Sequence, residues 1–229
     1  MRQFPLSCGI IPFVLCSSTI WDIGGSMLKK LIGLFTLFFW LTLTSPISFA
    51  LETNAQNEKI ISDATALIEK NPKDAIAYYK RGIGYLNKND LEAAMENFNK
   101  AIELNPKHAA AFLERGYIYA VKLNQHEQAI SDFSEAIKAD PKYELAFVNR
   151  GISYRKTNQF QLALDDFNKA IKMNRYAAKA YYNKGLTYEE TGSYEDAIAT
   201  YKTLIQVISP QAVDWIHLAK DRLRVLGVN

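Results

Sequence analysis

The stretch AIAYYKRGIGYL at residues 75–86 recurs three times in altered form along this sequence. The later copies are AAAFLERGYIYA at 109–120, ELAFVNRGISYR at 144–155 and AKAYYNKGLTYE at 178–189, so their starting points lie 34, 35 and 34 residues apart. A nearly constant period of this length indicates one supersecondary unit that is repeated and stacked, because each copy then buries an apolar face that it cannot bury alone.

When the four copies are aligned, three equivalent positions, called columns, carry the same kind of side chain in every copy. The fourth residue is always aromatic, the eighth is glycine and the eleventh is tyrosine, and these positions share one face of a helix. A second helical stripe follows in each copy, with an alanine, an aromatic ring four residues later and an apolar residue three further on. Its aromatic residues are Phe98, Phe133, Phe167 and Tyr201. Each copy is therefore predicted to be a pair of helices.

These columns resemble the tetratricopeptide repeat, whose pattern includes Leu-Gly, a following tyrosine, Ala-x3-Phe and a closing proline. The resemblance extends over residues 75–211 and implies an all-α fold, a right-handed α-solenoid of antiparallel helix pairs. The leucine before the glycine is replaced by a cation in every copy, and in copies two and three an aspartate precedes the aromatic residue of the second helix. We therefore expect these cations to form ion pairs inside the repeats. They are Arg81, Arg115, Arg150 and Lys184.

The repeat pattern also predicts the boundaries of the units. Repeats are assigned to residues 75–108, 109–143, 144–177 and 178–211, with an N-terminal capping helix in 51–74 and a C-terminal capping helix in 212–229. Capping units need one apolar and one polar face. The second repeat is one residue longer near Asn124, so its turn is expected to be looser. Residues that tolerate a left-handed conformation should end the first helices; they are Asn89, Asn124, Asn158 and Gly192.

The first 50 residues have the pattern of an export sequence. Residues 27–50 contain two lysines, an uncharged apolar run, Pro46 and small residues before Ala50, which is typical of a bacterial signal peptide cleaved after Ala50. Residues 1–26 would then be an upstream extension, with translation starting at Met27. The predicted location is exported, either periplasmic or secreted. If residues 31–50 are not removed, the alternative is a protein anchored in the inner membrane.

Composition and motifs argue against nucleic-acid binding and against catalysis. The chain has 27 basic and 24 acidic residues. From Leu51 onward it has 24 basic and 23 acidic residues, so there is no basic excess to attract nucleic acid. The three histidines have no companions at metal-ligand spacing, and no HExxH, GxSxG or phosphate-binding motif occurs. We therefore expect a protein that is not an enzyme and has no metal and no cofactor. Both cysteines, Cys8 and Cys16, precede the repeats, which suits an oxidising compartment.

Resemblance to the repeat family implies a ligand groove lined by the first helix of each pair. The implied residues are mostly apolar, which favours an apolar or amphipathic peptide segment of another protein as the ligand. The carboxylate clamp known in this family is not present, because Leu113 and Tyr117 stand where it needs lysine and asparagine, although Asn149 and Lys179 match. The candidate groove residues are Tyr79, Ile83, Leu86, Leu113, Tyr117, Leu145, Val148, Asn149, Ile152, Lys179, Tyr182, Asn183 and Leu186.

Two functional hypotheses follow from the sequence. The first is an interaction scaffold or adaptor of the bacterial envelope that holds a segment of another protein in this groove. The second is a structural or self-assembling array, in which the groove or an end face meets another copy and forms a homo-oligomer. Because the same fold hosts many unrelated recognitions, the repeat alone does not name the partner.

Overall fold

The computed structural model describes residues 46–208 and 213–228, with side chains described from Thr53 onward. Within these residues every regular element is helical, and the architecture is the predicted right-handed α-solenoid of antiparallel helix pairs. The helices are α1 Pro46–Lys70, α2 Ala75–Asn87, α3 Leu91–Leu104, α4 Ala109–Tyr117, α5 His126–Ala139, α6 Glu144–Lys156, α7 Phe160–Met173, α8 Ala178–Glu190, α9 Tyr194–Val207 and α10 Val213–Val225.

The turns inside the helix pairs have the predicted left-handed residues. The φ angles are 59° at Asn89, 54° at Asn124, 60° at Asn158 and 75° at Gly192. Asp90 then caps α3, since its side chain accepts a hydrogen bond from the amide of Ala93 at 3.2 Å. Ser193 occupies the corresponding position before α9 but makes no capping bond with its side chain. The turn conformation is thus shared by all four repeats, while side-chain capping is not.

Each glycine of the eighth column packs against an aromatic ring of the second helix in its own repeat. A Cβ atom added at Gly116 would lie 2.7 Å from Cε1 of Phe133, and one at Gly185 would lie 2.4 Å from Cε1 of Tyr201. Both rings are at most 1% exposed. The two helices of a pair reach this separation only because the first helix has no side chain at the point of contact.

Ion pairs form inside the second and third repeats, as predicted. Nη2 of Arg115 lies 2.6 Å from Oδ1 of Asp132, and Nε of Arg150 lies 2.7 Å from Oδ2 of Asp166. Another guanidinium nitrogen, Nη1, donates in each case to a side chain of the preceding repeat. Arg115 donates to Asn99 at 2.7 Å, and Arg150 donates to Ser134 at 3.1 Å. Each arginine therefore joins the helices of its own repeat and also connects two repeats.

Among the described residues, the first and fourth repeats do not form the ion pair expected at this position. Arg81 donates from Nε to the side-chain oxygen of Asn97 at 2.7 Å, because asparagine replaces the aspartate there. In the fourth repeat the cation is Lys184, and burial lowers the pKa of its ammonium group. Its ammonium lies 5.7 Å from the centre of the Tyr188 ring.

The extra residue of the second repeat lies in a helix and not in the turn. Helix α4 continues as a π-helical turn, Ile118–Lys122, in which the amide of Leu123 donates to the carbonyl of Ile118 at 3.1 Å. A π-helical turn takes up one more residue than an α-helical turn. The expected loosening at Asn124 is therefore wrong, since that residue keeps the conformation of its counterparts.

Helix α1 covers the first repeat. A Cβ atom at Gly84 would lie 2.6 Å from Cγ1 of Ile61, so α1 and α2 are in close contact. Helix α1 begins at Pro46, ahead of the predicted boundary at residue 51, and so includes Ala50. Proline suits a first helical position because its missing amide would have no partner there. The rest of the predicted export sequence lies outside the described residues, and none of the described helices combines the length and apolar character needed to span a membrane.

Helix α10 closes the other end of the repeats. Ala219 is fully buried, and the Trp215 ring lies 5.7 Å from that of Tyr182. Arg222 forms an ion pair with Glu189. Glu189 also accepts a hydrogen bond of 2.6 Å from the hydroxyl of Tyr201. A charged network therefore joins α10 to both helices of the fourth repeat.

Glu189 should make this attachment sensitive to acid. Burial acts to raise the pKa of its carboxyl group, but hydrogen bonds from Arg222 and Tyr201 outweigh burial and hold the pKa below its usual 4.5. A lowered folded-state pKa stabilises the fold above the unfolded-state value, and this contribution is lost as the pH falls through the folded-state pKa. We expect Glu189→Gln to reduce the free energy of unfolding at pH 7. In urea titrations, the difference in this free energy between the variant and wild type should become smaller below about pH 4.5. A gap that does not depend on pH would contradict this assignment.

Candidate functional site

Two neighbouring pockets lie along the first helices of repeats two to four. The π-turn pocket has a volume of about 230 Å³ and runs beside the π-helical turn, and the leucine pocket, of about 220 Å³, is bounded by Leu145 and Glu114. Both pockets are lined by Tyr117, Asn149 and Lys179. Because they share these three residues, the two pockets are adjacent, and together they are called the groove; the shared residues come from α4, α6 and α8.

Six of the predicted site residues line the groove. Leu145 is 43% exposed at its edge, while Tyr117, Asn149, Ile152 and Lys179 are half-buried. Leu113 lies in the floor of the leucine pocket and is only 2% exposed. The remaining candidates do not line either pocket.

Two further candidates, Val148 and Asn183, are buried. They are 1% and 8% exposed and line neither pocket, which corrects their assignment to the site. Val148 packs in a core cluster with Phe167, because α7 of the same repeat covers this flank of α6. Asn183 donates to the carbonyl of Lys179 at 2.8 Å.

The remaining candidates, which lie in the first and fourth repeats, serve mainly in packing. Tyr79, Ile83 and Leu86 are half-buried against a cluster that contains Phe98 and Ile118. Tyr182 lies between the rings of Tyr201 and Trp215, at 6.0 and 5.7 Å. Leu186 is half-buried and lines neither pocket.

Several residues of the π-turn pocket were not predicted from the sequence. They come from the π-helical turn and the turn after it, from α5 and from the second half of α6. The extra residue in repeat two was the available indication, but it did not show that the helix itself would widen. The unpredicted lining residues are Val121, Asn124, His126, Phe133, Ser153 and Lys156, whereas Ala120 stands at a position where the repeat family places groove residues.

Lys179 provides a cation in the groove that is not paired with a carboxylate. Its Nζ atom donates to Oδ1 of Asn149 at 2.9 Å, and no carboxylate of the described residues lies within ion-pair distance. Burial lowers the pKa of this ammonium group. A charge that has lost water and gained only a neutral partner gains most from an anionic group placed beside it.

Glu114 also lines the leucine pocket. Burial raises the pKa of its carboxyl group. Burial, and then the charge of Glu114, raises the pKa of Tyr79 to about 12. The leucine pocket is therefore lined by one carboxylate, Glu114, and one ammonium group, Lys179. Among the described residues, no three His, Cys, Asp or Glu side chains are grouped so that they could hold a metal ion.

Comparison with known proteins agrees with this architecture. Models of the tetratricopeptide repeat match residues 68–108, 97–131 and 148–213, which together make up more than half of the 229 residues. No curated protein sequence matches the chain significantly.

Solved structures of three repeat proteins are similar over most of their length. PilW, described as a widely conserved type IV pilus biogenesis factor, is 21% identical with a TM-score of 0.65 and covers 81% of this chain and 86% of its own. MamA from Desulfovibrio magneticus RS-1 is 19% identical with a TM-score of 0.62 and covers 70% of this chain and 90% of its own. YrrB, described as a TPR protein with an unusual peptide-binding site, is 26% identical with a TM-score of 0.59, and the match covers 71% of this chain and 82% of YrrB.

The columns of the sequence, the stacked helix pairs and these matches agree with one another. The chain is therefore built from tetratricopeptide repeats and belongs to that family.

Proposed function

We propose that this chain is a protein-interaction scaffold of the bacterial envelope, which binds a peptide segment of another protein in the groove and performs no chemistry of its own. The observation that carries the proposal is the adjacency of the two pockets, which share one lining residue from each of three successive repeats. A groove of this kind suits a peptide, because successive side chains can enter successive pockets. The similarity to YrrB, a protein described as having a peptide-binding site, supports the same function.

The chemistry of the groove defines the kind of peptide. Tyr117, Ile152 and the exposed Leu145 offer apolar surface, so the peptide needs apolar side chains. Lys179 favours a carboxylate on the bound segment, since the structure supplies it with only the neutral side chain of Asn149. An amphipathic segment that carries both apolar and acidic residues fits these requirements.

Binding should be lost when charge is placed in the groove. We expect a random-peptide display library to enrich binders on the full chain, and expect Tyr117→Glu and Leu145→Glu each to weaken those binders by at least about tenfold, or 1.4 kcal/mol. Leu162→Glu is the matched control, because Leu162 is 46% exposed on α7, the second helix of repeat three, and lines neither pocket. Val148→Glu is not a suitable probe, since Val148 is buried.

Two outcomes would overturn the proposal. If the library enriches no peptide, the groove is not a peptide site. If Leu162→Glu weakens the binders as much as Leu145→Glu does, the peptides bind elsewhere.

The envelope location rests on residues 27–50. We expect expression in a bacterium with an export pathway to yield a chain that begins at Leu51, as determined by N-terminal sequencing of the periplasmic fraction. If residues 31–50 are retained and the chain sediments with membranes, the inner-membrane alternative holds instead.

Self-association is a second candidate function, and α10 supplies an observation in its favour. This terminal helix leaves Val213 48%, Leu218 41% and Val225 70% exposed. Apolar side chains at the end of a solenoid are suited to contact with another copy. Light scattering over a range of concentrations tests this function: a constant monomer mass excludes it, and a mass that rises with concentration supports it.

A further inference from the structure

The tenth column of the repeats shows why the π-turn pocket exists. This position faces the preceding unit: Gly84 contacts Ile61 of α1, and Ile118 is fully buried in a cluster with Phe98 of repeat one. In repeat three the equivalent residue is Ser153, which is much smaller than Ile118. Space that isoleucine fills between the first two repeats is therefore left open between the second and third.

Ser153 brings an unpaired polar group to this space. It is fully buried and lines the pocket, and its hydroxyl has no hydrogen-bond partner in the part of the chain that the structure describes. A buried polar group without a partner costs about 1 to 3 kcal/mol, so such groups are rare in folded proteins unless they serve a purpose. Rotation about χ1 between staggered positions lets the hydroxyl meet an occupant without movement of the backbone.

His126 adds a second unpaired atom at the same pocket. Its Nε2 atom lies 3.2 Å from the side-chain oxygen of Asn124 and donates to it, so Nδ1 carries the lone pair. Nδ1 is buried and has no partner among the described residues. Burial, and then the charge of Lys156, lowers the pKa of this imidazole, which favours the neutral ring. The pocket thus offers one unpaired acceptor and one unpaired hydroxyl.

The rest of the pocket lining combines apolar and basic side chains. Ala120, Val121 and Ile152 contribute aliphatic surface, while Lys156 and Lys179 are its charged lining residues and none of the described lining residues is acidic. Its volume of about 230 Å³ exceeds the cavity of about 150 Å³ that accepts benzene in a protein interior. A six-membered ring therefore fits, and the two lysines favour acidic neighbours on the same peptide.

We infer that the π-turn pocket receives a tyrosine side chain of the bound peptide, with acidic residues beside that tyrosine. The phenol ring occupies the space beside Ala120 and Ile152, and its hydroxyl donates to Nδ1 of His126 and accepts from Ser153. A phenylalanine would fill the same space but leave both polar atoms unpaired. This inference rests on the proposed function, since it specifies what the groove binds.

Peptide display tests the inference directly. On the full chain we expect enrichment of peptides that contain tyrosine next to glutamate or aspartate, and expect replacement of that tyrosine by phenylalanine to weaken binding roughly tenfold. On the Ser153→Ala variant we expect this preference for tyrosine over phenylalanine to shrink to about twofold or less. Equal affinity of the tyrosine and phenylalanine peptides for the wild-type chain would overturn the inference.

Stability measurements separate a binding role of Ser153 from a structural one. Because its hydroxyl has no partner in the free protein, we expect Ser153→Ala to unfold at the same urea concentration as wild type or higher. A lower midpoint with an unchanged preference for tyrosine would mean that the hydroxyl is structural, which would overturn the inference. Ser153→Val is the second variant: it narrows the pocket, and it should weaken tyrosine peptides whatever their flanking residues.

Failure of the inference and failure of the proposed function give different results. If enriched peptides depend on Tyr117 and Leu145 but lack tyrosine, the inference is wrong and the peptide groove stands. If the library enriches nothing, both are wrong.

Discussion

Replacing Arg150 with methionine is expected to lower the free energy of unfolding by about 3 to 5 kcal/mol, because the change leaves a buried carboxylate without its cation. Asp166 is 2% exposed, and both of its oxygens accept hydrogen bonds from Arg150, at 2.7 and 2.8 Å. The same substitution removes the bond from Arg150 to Ser134 of the preceding repeat. Urea denaturation followed by circular dichroism measures the effect.

Arg81→Met is the matched control for this experiment. Arg81 occupies the same column, but its partner is the neutral side chain of Asn97. Loss of a hydrogen bond to a neutral group, with no charge left behind, should cost about 1 to 2 kcal/mol. Equal effects of the two substitutions would show that the charge of Asp166 does not matter. The double variant Arg150→Met with Asp166→Leu should recover most of the loss, since no unpaired charge remains.

Truncation of Phe167 to alanine is expected to cost about 3 to 5 kcal/mol, because it opens a cavity between the two helices of repeat three. Phe167 is fully buried, and a Cβ atom at Gly151 would lie 2.7 Å from its ring. Leu162→Ala on the same helix is the control, because Leu162 is 46% exposed and should change the free energy of unfolding by no more than about 0.5 kcal/mol.

A second substitution checks that the ring and the glycine act as a pair. In the wild-type background Gly151→Leu should overpack the contact and cost about 1 to 3 kcal/mol. In the Phe167→Ala background the new side chain has a cavity to enter, so the same change should cost less. A double-mutant cycle measures this coupling, and strict additivity of the two effects would show that the two positions do not share a contact.

Sequence reasoning was strongest where one side chain has one geometrical role. Asn89 and Asn158 were predicted to end their helices in a left-handed conformation, and both residues have positive φ angles. Pairing of Arg115 with Asp132 was also predicted and is confirmed. In each case the period of the helix places the interacting groups at a known separation within one repeat.

Predictions about the groove were less complete, for a physical reason. Val148 and Leu145 both carry apolar side chains on α6, yet one is 1% exposed and the other 43%. They stand three residues apart, so helical periodicity places them side by side on neighbouring parts of one face. Tertiary packing decides which of the two is covered. The same limit applies to the extra residue of repeat two, which either a turn or a helix can absorb.

By itself, the sequence determined the repeat family, the helix pairs and the ion pairs inside them, because these follow from spacing along one helical hairpin. Only the tertiary structure decided that a helix widens at Ile118–Lys122, that Ser153 and His126 meet at one pocket, and that Lys179 lies beside it without a carboxylate partner among the described residues. These features depend on how one repeat is packed against the next, and that packing is set by the shapes of many side chains together.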